Sequence, residues 1–142
     1  MHLQNQIDDP SQICMIGEAD PFLYQLLRRF TETCGLLPRH AVTGEAMMDL
    51  LQHEKPQLVI LEPQLPGTLR GWEVAQWILT NPETRSIPLV ICSWLDKTEV
   101  HSLVGKSVIH LQKPDLHFNG FLYAVTSAGI QTELVQKKNR DH

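Results

Sequence analysis

Four residues in this chain have the types and positions for shared chemistry: Glu18, Glu62, Ser93 and Lys113. Each stands at or just beyond the end of a short apolar run. Glu62 follows Leu58 to Leu61, four consecutive apolar residues, and Ser93 closes PLVICS. Glu18 follows SQICMIG, and Lys113 follows SVIHL after one residue. Two carboxylates, a hydroxyl and an ammonium gathered at one crevice can bind an anion or a metal ion, or pair with one another. An ordinary loop rim with unrelated charges would show the same spacing, so the elements carrying these residues decide between the readings.

Short, uniformly apolar runs predict strands buried on both faces, the kind found inside a parallel sheet. After Glu62, the residues Pro63, Pro66 and Gly67 forbid regular structure, and a new amphipathic segment begins at Trp72. Asp20-Pro21 is a helix start, an N-cap acid before proline at the first helical position. Leu23, Leu26, Leu27 and Phe30 then repeat with helical spacing up to Gly35. Leu36 to Val42 reads as a weaker strand, and Pro38 places it at a sheet edge. Thr43 caps a second helix with Met47, Leu50 and Leu51 on its inner face. Val74, Trp77 and Ile78 mark a third, stopped at Asn81-Pro82. Asp96 and Glu99 form a capping box for a short fourth helix carrying Val100, Leu103 and Val104 and ending at Gly105. Ser107 to Leu111 is the fifth strand, and Phe118, Phe121, Leu122 and Val125 belong to the last helix.

Alternation of five strands with five helices forces parallel pairing through helical crossovers. The expected fold class is α/β: a flavodoxin-like three-layer (βα)5 sandwich with a parallel five-stranded sheet of order 2-1-3-4-5. In such sheets ligand and reaction sites lie beyond the C-terminal strand ends, where all four polar residues stand.

Composition narrows the classes. A chain of 142 residues with 42% apolar content predicts one domain with a real core. The expected division is a polar segment over 1–10, the domain over 11–130 and a polar tail over 131–142. Twelve basic against sixteen acidic residues give a net charge of −4, and Lys137, Lys138 and Arg140 read as a solvated end. Nucleic acid is therefore not an expected partner. Neither a signal peptide nor an apolar run of membrane-spanning length is visible, so a cytoplasmic location and no membrane partner are expected. Cys14, Cys34 and Cys92 are an odd number without a CxxC pair and read as reduced, buried thiols. The seven histidines show no zinc-type spacing, and no phosphate-cradling glycine motif appears.

The pieces IGEADPFLYQLLRRF, PQLVILEPQLPG, IPLVICSWL and LQKP, in this order, resemble the receiver domain of bacterial two-component response regulators. The resemblance covers about Gln12 to Ala128. It implies that Glu62 occupies the position where an aspartate accepts a phosphoryl group from a histidine kinase. It places Ser93 and Lys113 where a hydroxyl and a lysine contact that group, Glu18 among the acids that bind Mg²⁺, and His110 at an aromatic switch position. The departures carry the functional reading. The acceptor is Glu62 rather than Asp, and Ala19 replaces one metal ligand, leaving Asp20 as a helix cap. The loop from Pro66 to Gly71 is one residue longer than usual, and Trp94 is expected to narrow the pocket.

A glutamate arm longer by at most about 1.5 Å brings the carboxylate toward Lys113 and Ser93. Misplaced oxygens and a lost ligand weaken Mg²⁺ binding and in-line phosphoryl transfer. The leading expectation is a stand-alone, non-phosphorylated pseudo-receiver. It is not an enzyme, has no cofactor, and acts through protein–protein contacts. Its partner is a signalling protein or a histidine kinase, with a second copy of itself as another candidate. No DNA-binding output domain is expected in the residues after Ala128. The alternatives are a receiver still phosphorylated by a histidine kinase through an atypical acid, and a small-molecule-binding flavodoxin-like protein. Acetyl-phosphate labelling separates the first, and a coloured flavin on purification would mark the second.

Overall fold

The structure, a computed structural model, describes residues 12–132. The expected polar segment 1–10 and the basic tail residues Lys137, Lys138 and Arg140 lie outside the described residues. Five strands alternate with five helices: β1 (Ile13–Gly17), α1 (Pro21–Thr33), β2 (Leu37–Ala41), α2 (Gly44–His53), β3 (Leu58–Leu61), α3 (Gly71–Thr80), β4 (Leu89–Ser93), α4 (Lys97–Val104), β5 (Ile109–Gln112) and α5 (Phe118–Ser127). A single 3₁₀ turn, Lys113–Asp115, joins β5 to α5. The sheet is wholly parallel, in the order β2-β1-β3-β4-β5, as the alternation predicts.

Side-chain alternation along the strands divides the core in two. Met15, Val59, Leu61 and Ile91 pack against Met47 and Leu51 of α2, Val74 and Ile78 of α3, and Val100 of α4. Cys14, Ile16, Ile60 and Cys92 pack on the other face against Leu27 of α1 and Phe121 and Val125 of α5. Every residue of β1, β3 and β4 is buried, because helices cover both faces of these three strands. Burial also accounts for the cysteines: the Cys14 and Cys92 thiols are pushed up to about 12, which keeps them protonated.

Local punctuation works as the residue types require. Asp20 Oδ1 accepts from the Phe22 and Leu23 N–H groups, Thr43 Oγ1 from Ala46 N–H, and Asp96 Oδ1 from Glu99 N–H. Gly105, with φ of 93°, takes the left-handed conformation that stops α4. Two expectations shift. In α1 the deep positions are Leu27 and Thr31, whereas Leu23, Leu26 and Phe30 are only half-buried at the flanks. The fifth strand starts at Ile109 rather than Ser107, because the exposed turn Gly105-Lys106-Ser107 must first return the chain to the sheet.

Candidate functional site

The strand ends assemble the site by register. Gly17 lies opposite both Ala41 and Leu61, so the next residues, Glu18 and Glu62, leave the sheet at the same level. Glu62 N–H donates to the Gly17 carbonyl at 3.0 Å, and Glu18 N–H to that of Ala41 at 3.1 Å. These bonds hold both carboxylate-bearing residues to the end of the ladder. The loop after Glu62 folds back on it. Leu65 N–H donates to the Glu62 carbonyl and Gly71 N–H to that of Leu65. Gly71 lies so close that an added Cβ would collide with the Glu62 carbonyl oxygen, which explains glycine there.

Lys113 enters from the far side, at the first position of the 3₁₀ turn. Its Nζ lies 2.7 Å from Glu62 Oε1 and 2.7 Å from Glu18 Oε1. The Glu62 contact is a hydrogen bond; the Glu18 contact is an ion contact without hydrogen-bond alignment. The three side chains are between 3% and 7% exposed, so one ammonium and two carboxylates share a nearly dry crevice. The remaining oxygens are engaged by backbone: Glu62 Oε2 accepts from Gln64 N–H at 2.9 Å, and Glu18 Oε2 from Asp20 N–H at 3.0 Å. Burial pulls the Lys113 pKa down, but the close contacts and negative charge of Glu18 and Glu62 outweigh it. The net displacement is above the ordinary lysine value. This arrangement holds a proton on Lys113 firmly. It presents neither carboxylate as a free nucleophile.

Of the sequence-predicted residues, the structure therefore brings Glu18, Glu62 and Lys113 together. No hydrogen bond among those described joins Ser93 to Glu62. Ile91 lies opposite Leu61, so Ser93 stands one residue further along than Glu62. The Ser93 hydroxyl is fully buried and accepts from Leu95 N–H at 2.9 Å, closing the turn into α4. Asp20 is occupied as the α1 cap, as its place before Pro21 predicts. Trp94, beside Ser93, is 57% exposed.

Sequence reasoning missed the Glu18–Lys113 contact, although the equal level of the β1 and β3 ends would have revealed it. It also missed His40. This edge-strand histidine has Nε2 at 2.7 Å from the Glu18 carbonyl oxygen. A carbonyl oxygen only accepts, so Nε2 carries the hydrogen. Tyr24 stacks flat on the His40 ring, centroids 3.4 Å apart, which buttresses the Glu18 backbone from α1.

His110 lies on β5, away from the triad, and faces a groove of about 510 Å³ between α4 and α5. Its Nε2 is buried without a hydrogen-bond partner. The groove is also lined by Lys97, His101, His117 and Tyr123. None of these four was singled out from the sequence, and only their convergence in the fold connects them. Among the described residues no cluster of histidine, cysteine and acidic side chains suits a metal ion. No described helix is long and apolar enough to cross a membrane.

Known structures share this architecture. No family model and no curated protein matches the chain. It resembles a signal receiver domain of a signal transduction histidine kinase from Syntrophus aciditrophicus at 21% identity, with a TM-score of 0.72, over 83% of this chain and 89% of that one. The bacteriophytochrome response regulator AtBRR matches at 24% identity and a TM-score of 0.72, over 84% and 94% of the two chains. Vibrio cholerae chemotaxis protein CheY4 matches at 14% identity and a TM-score of 0.72, over 83% and 98%. The fold is that of response-regulator receiver domains.

Proposed function

We propose that this chain is a pseudo-receiver: a signalling module with the receiver fold that works by protein–protein interaction without an aspartyl-phosphate cycle. The observation that carries this reading is the Lys113 ammonium, 2.7 Å from an oxygen of Glu18 and 2.7 Å from one of Glu62. In a phosphorylated receiver the acceptor carboxylate must be free to attack, and a divalent cation must neutralise charge beside it. Here the acceptor position holds Glu62, whose Oε1 is tied to Lys113 and whose Oε2 is tied to Gln64 N–H.

The donor set does not fit Mg²⁺. That ion requires near-octahedral oxygen ligation at about 2.0–2.1 Å. Ala19 contributes no side-chain oxygen, and Asp20 is spent on the α1 cap. The two remaining carboxylates converge on an ammonium, whose positive charge opposes a dication between them. The chain's own cation occupies the charge-neutralising role, so the crevice is held permanently in one arrangement. Partners then read a fixed surface, for which the face formed by α4, β5 and α5 is the best candidate, since it carries the open groove.

The test is intact-mass measurement after incubation with acetyl phosphate and Mg²⁺. The expected result is an unchanged mass. A stoichiometric phosphoryl adduct that disappears in Glu62→Gln overturns the reading.

A further inference from the structure

The groove between α4 and α5 has a floor unlike that of a side-chain pocket. Its lining includes the consecutive residues Val108 to Gln112, that is, β5 itself with its outer flank. Among the described residues strand β5 ends the sheet order and pairs only with β4, and none of them forms a strand along its outer edge. A free edge is a template for one more strand, supplied by an extended segment.

Apart from Tyr123, the titratable groups that line the groove among the described residues are all basic. Lys97 and His101 come from α4, His110 from β5 and His117 from the start of α5, and among the described residues no carboxylate lines the groove. The charged residues near His110 are Lys97, His101 and Asp96 of the α4 side. Asp96 is turned to the α4 N-terminus, where it accepts from Glu99 N–H, and Glu99 answers by accepting from Asp96 N–H. From α5, His117 Nδ1 accepts from Gly120 N–H at 3.1 Å, so the proton of the neutral ring is on Nε2. Tyr123, also on α5, is 76% exposed and offers an aromatic anchor at the rim. Strand β4 brings no charged side chain to this edge; its residues opposite β5 are Val90, Ile91, Cys92 and Ser93. A second copy of this chain is a poor occupant, because symmetric β5–β5 pairing would set Lys97, His101 and His110 against their own copies.

We propose that this edge is a proton-gated site for an acidic, extended segment of a partner protein, which adds as a sixth strand beside β5, with His110 as the gate. The inference rests on the reading of this face as the working surface and names what it takes and how it is regulated. His110 lines the groove although its Nε2 is itself out of solvent contact, so a proton taken up on the ring acts on a bound carboxylate through its charge rather than by direct contact. Burial, reinforced by the positive field of His101, holds the free His110 ring below the ordinary histidine value. The ring is therefore neutral in the empty groove near neutrality. Segment binding takes up a proton, and by linkage affinity rises as pH falls. The receiver input would be replaced here by a proton rather than a phosphoryl group.

The test uses ¹⁵N-labelled protein and the peptide acetyl-Val-Glu-Val-Asp-Val-Glu-amide, with its Gln/Asn counterpart as control. Amide shifts are expected along Ile109–Gln112 with the acidic peptide alone. Its affinity should be roughly ten-fold higher near pH 6 than near pH 8. His110→Gln should bind with that pH dependence gone, and Lys97→Glu should weaken binding by about ten-fold. The proposal is overturned by equal binding of the neutral peptide, or by no shifts at about 1 mM acidic peptide. It is equally overturned by pH dependence that survives in His110→Gln, by shifts confined to other elements, by concentration-dependent shifts on β5 without peptide, or by stronger binding to anionic vesicles than to the peptide. A phosphoryl adduct on Glu62 with peptide binding intact would overturn the pseudo-receiver reading and leave this inference standing.

Discussion

The strand-end crevice and the α4–α5 groove stand only a few residues apart on β5 and are built on opposite principles. In the crevice every charged oxygen of Glu18 and Glu62 has a partner, and Lys113 is shared between them with almost no solvent. In the groove His110 Nε2 is buried without a hydrogen-bond partner, and Lys97, His101 and His117 line one cavity with no carboxylate among the described residues. A closed network of buried charges resists change, since removing any member leaves another charge desolvated. An open set of like-signed groups waits for a ligand and changes with pH. Under the proposed reading the crevice is the fixed part of this molecule and the flank the responsive one.

The largest way to break this contrast is Lys113→Met. Two buried carboxylates would face each other without a cation, and stability should fall by about 3–5 kcal/mol, read as a lower urea midpoint at unchanged slope. A loss below about 1 kcal/mol would mean that the triad is solvated and no more rigid than the groove. Glu62→Gln is smaller, about 1–3 kcal/mol, because Glu18 still pairs with Lys113. Combining the two substitutions in a double-mutant cycle should return a clear coupling energy, and a value of zero would detach Glu62 from the lysine.

Two pH windows sharpen the comparison further. The folded-state pKa of Lys113 is raised, so its contribution is fully present below the ordinary lysine value and lost as pH rises through the raised one. Wild type should therefore lose stability relative to Lys113→Met on the alkaline side of about pH 10. His110 has the opposite sign. Its pKa is lowered, chiefly by burial, so its contribution is present above the ordinary histidine value and lost as pH falls through the lowered one. His110→Gln should flatten the acid limb of the stability profile below about pH 6.5, an effect smaller than any in the crevice. The smallest effect belongs to the open wall: Lys97→Glu should leave stability within about 0.5 kcal/mol of wild type, since Lys97 is exposed and forms no ion pair among the described residues.

Much of this molecule is written in local pattern. Leu58 to Leu61 could only be a doubly covered strand, and Asp20-Pro21, Thr43 and the Asp96–Glu99 pair mark helix starts that form as residue chemistry requires. The residues of the crevice were legible because parallel strands must end on one side, which makes any polar residue after an apolar run a candidate. Other features lay beyond pattern. The proline in Leu37–Ala41 marked an edge strand but said nothing of His40 reaching the Glu18 carbonyl. Helical spacing in α1 named four inward residues and could not say that Leu27 and Thr31 would be the deep ones. That choice depends on how the helix is rotated against β1 and α5.

Strand and helix identity, the parallel order and the convergence of Glu18, Glu62 and Lys113 on one end of the sheet follow from periodicity, turn residues and chain connectivity. All of these act over a few neighbouring residues or through the handedness of crossovers. Tertiary structure alone decided that Lys113 takes both carboxylates while Ser93 closes a turn, and that Trp94 faces solvent. It alone gathered His101, His110 and His117 around the free edge of β5. The physical reason is range: hydrogen bonds and ion pairs depend on ångström-scale register between segments far apart in the chain, and residue spacing carries no record of that distance.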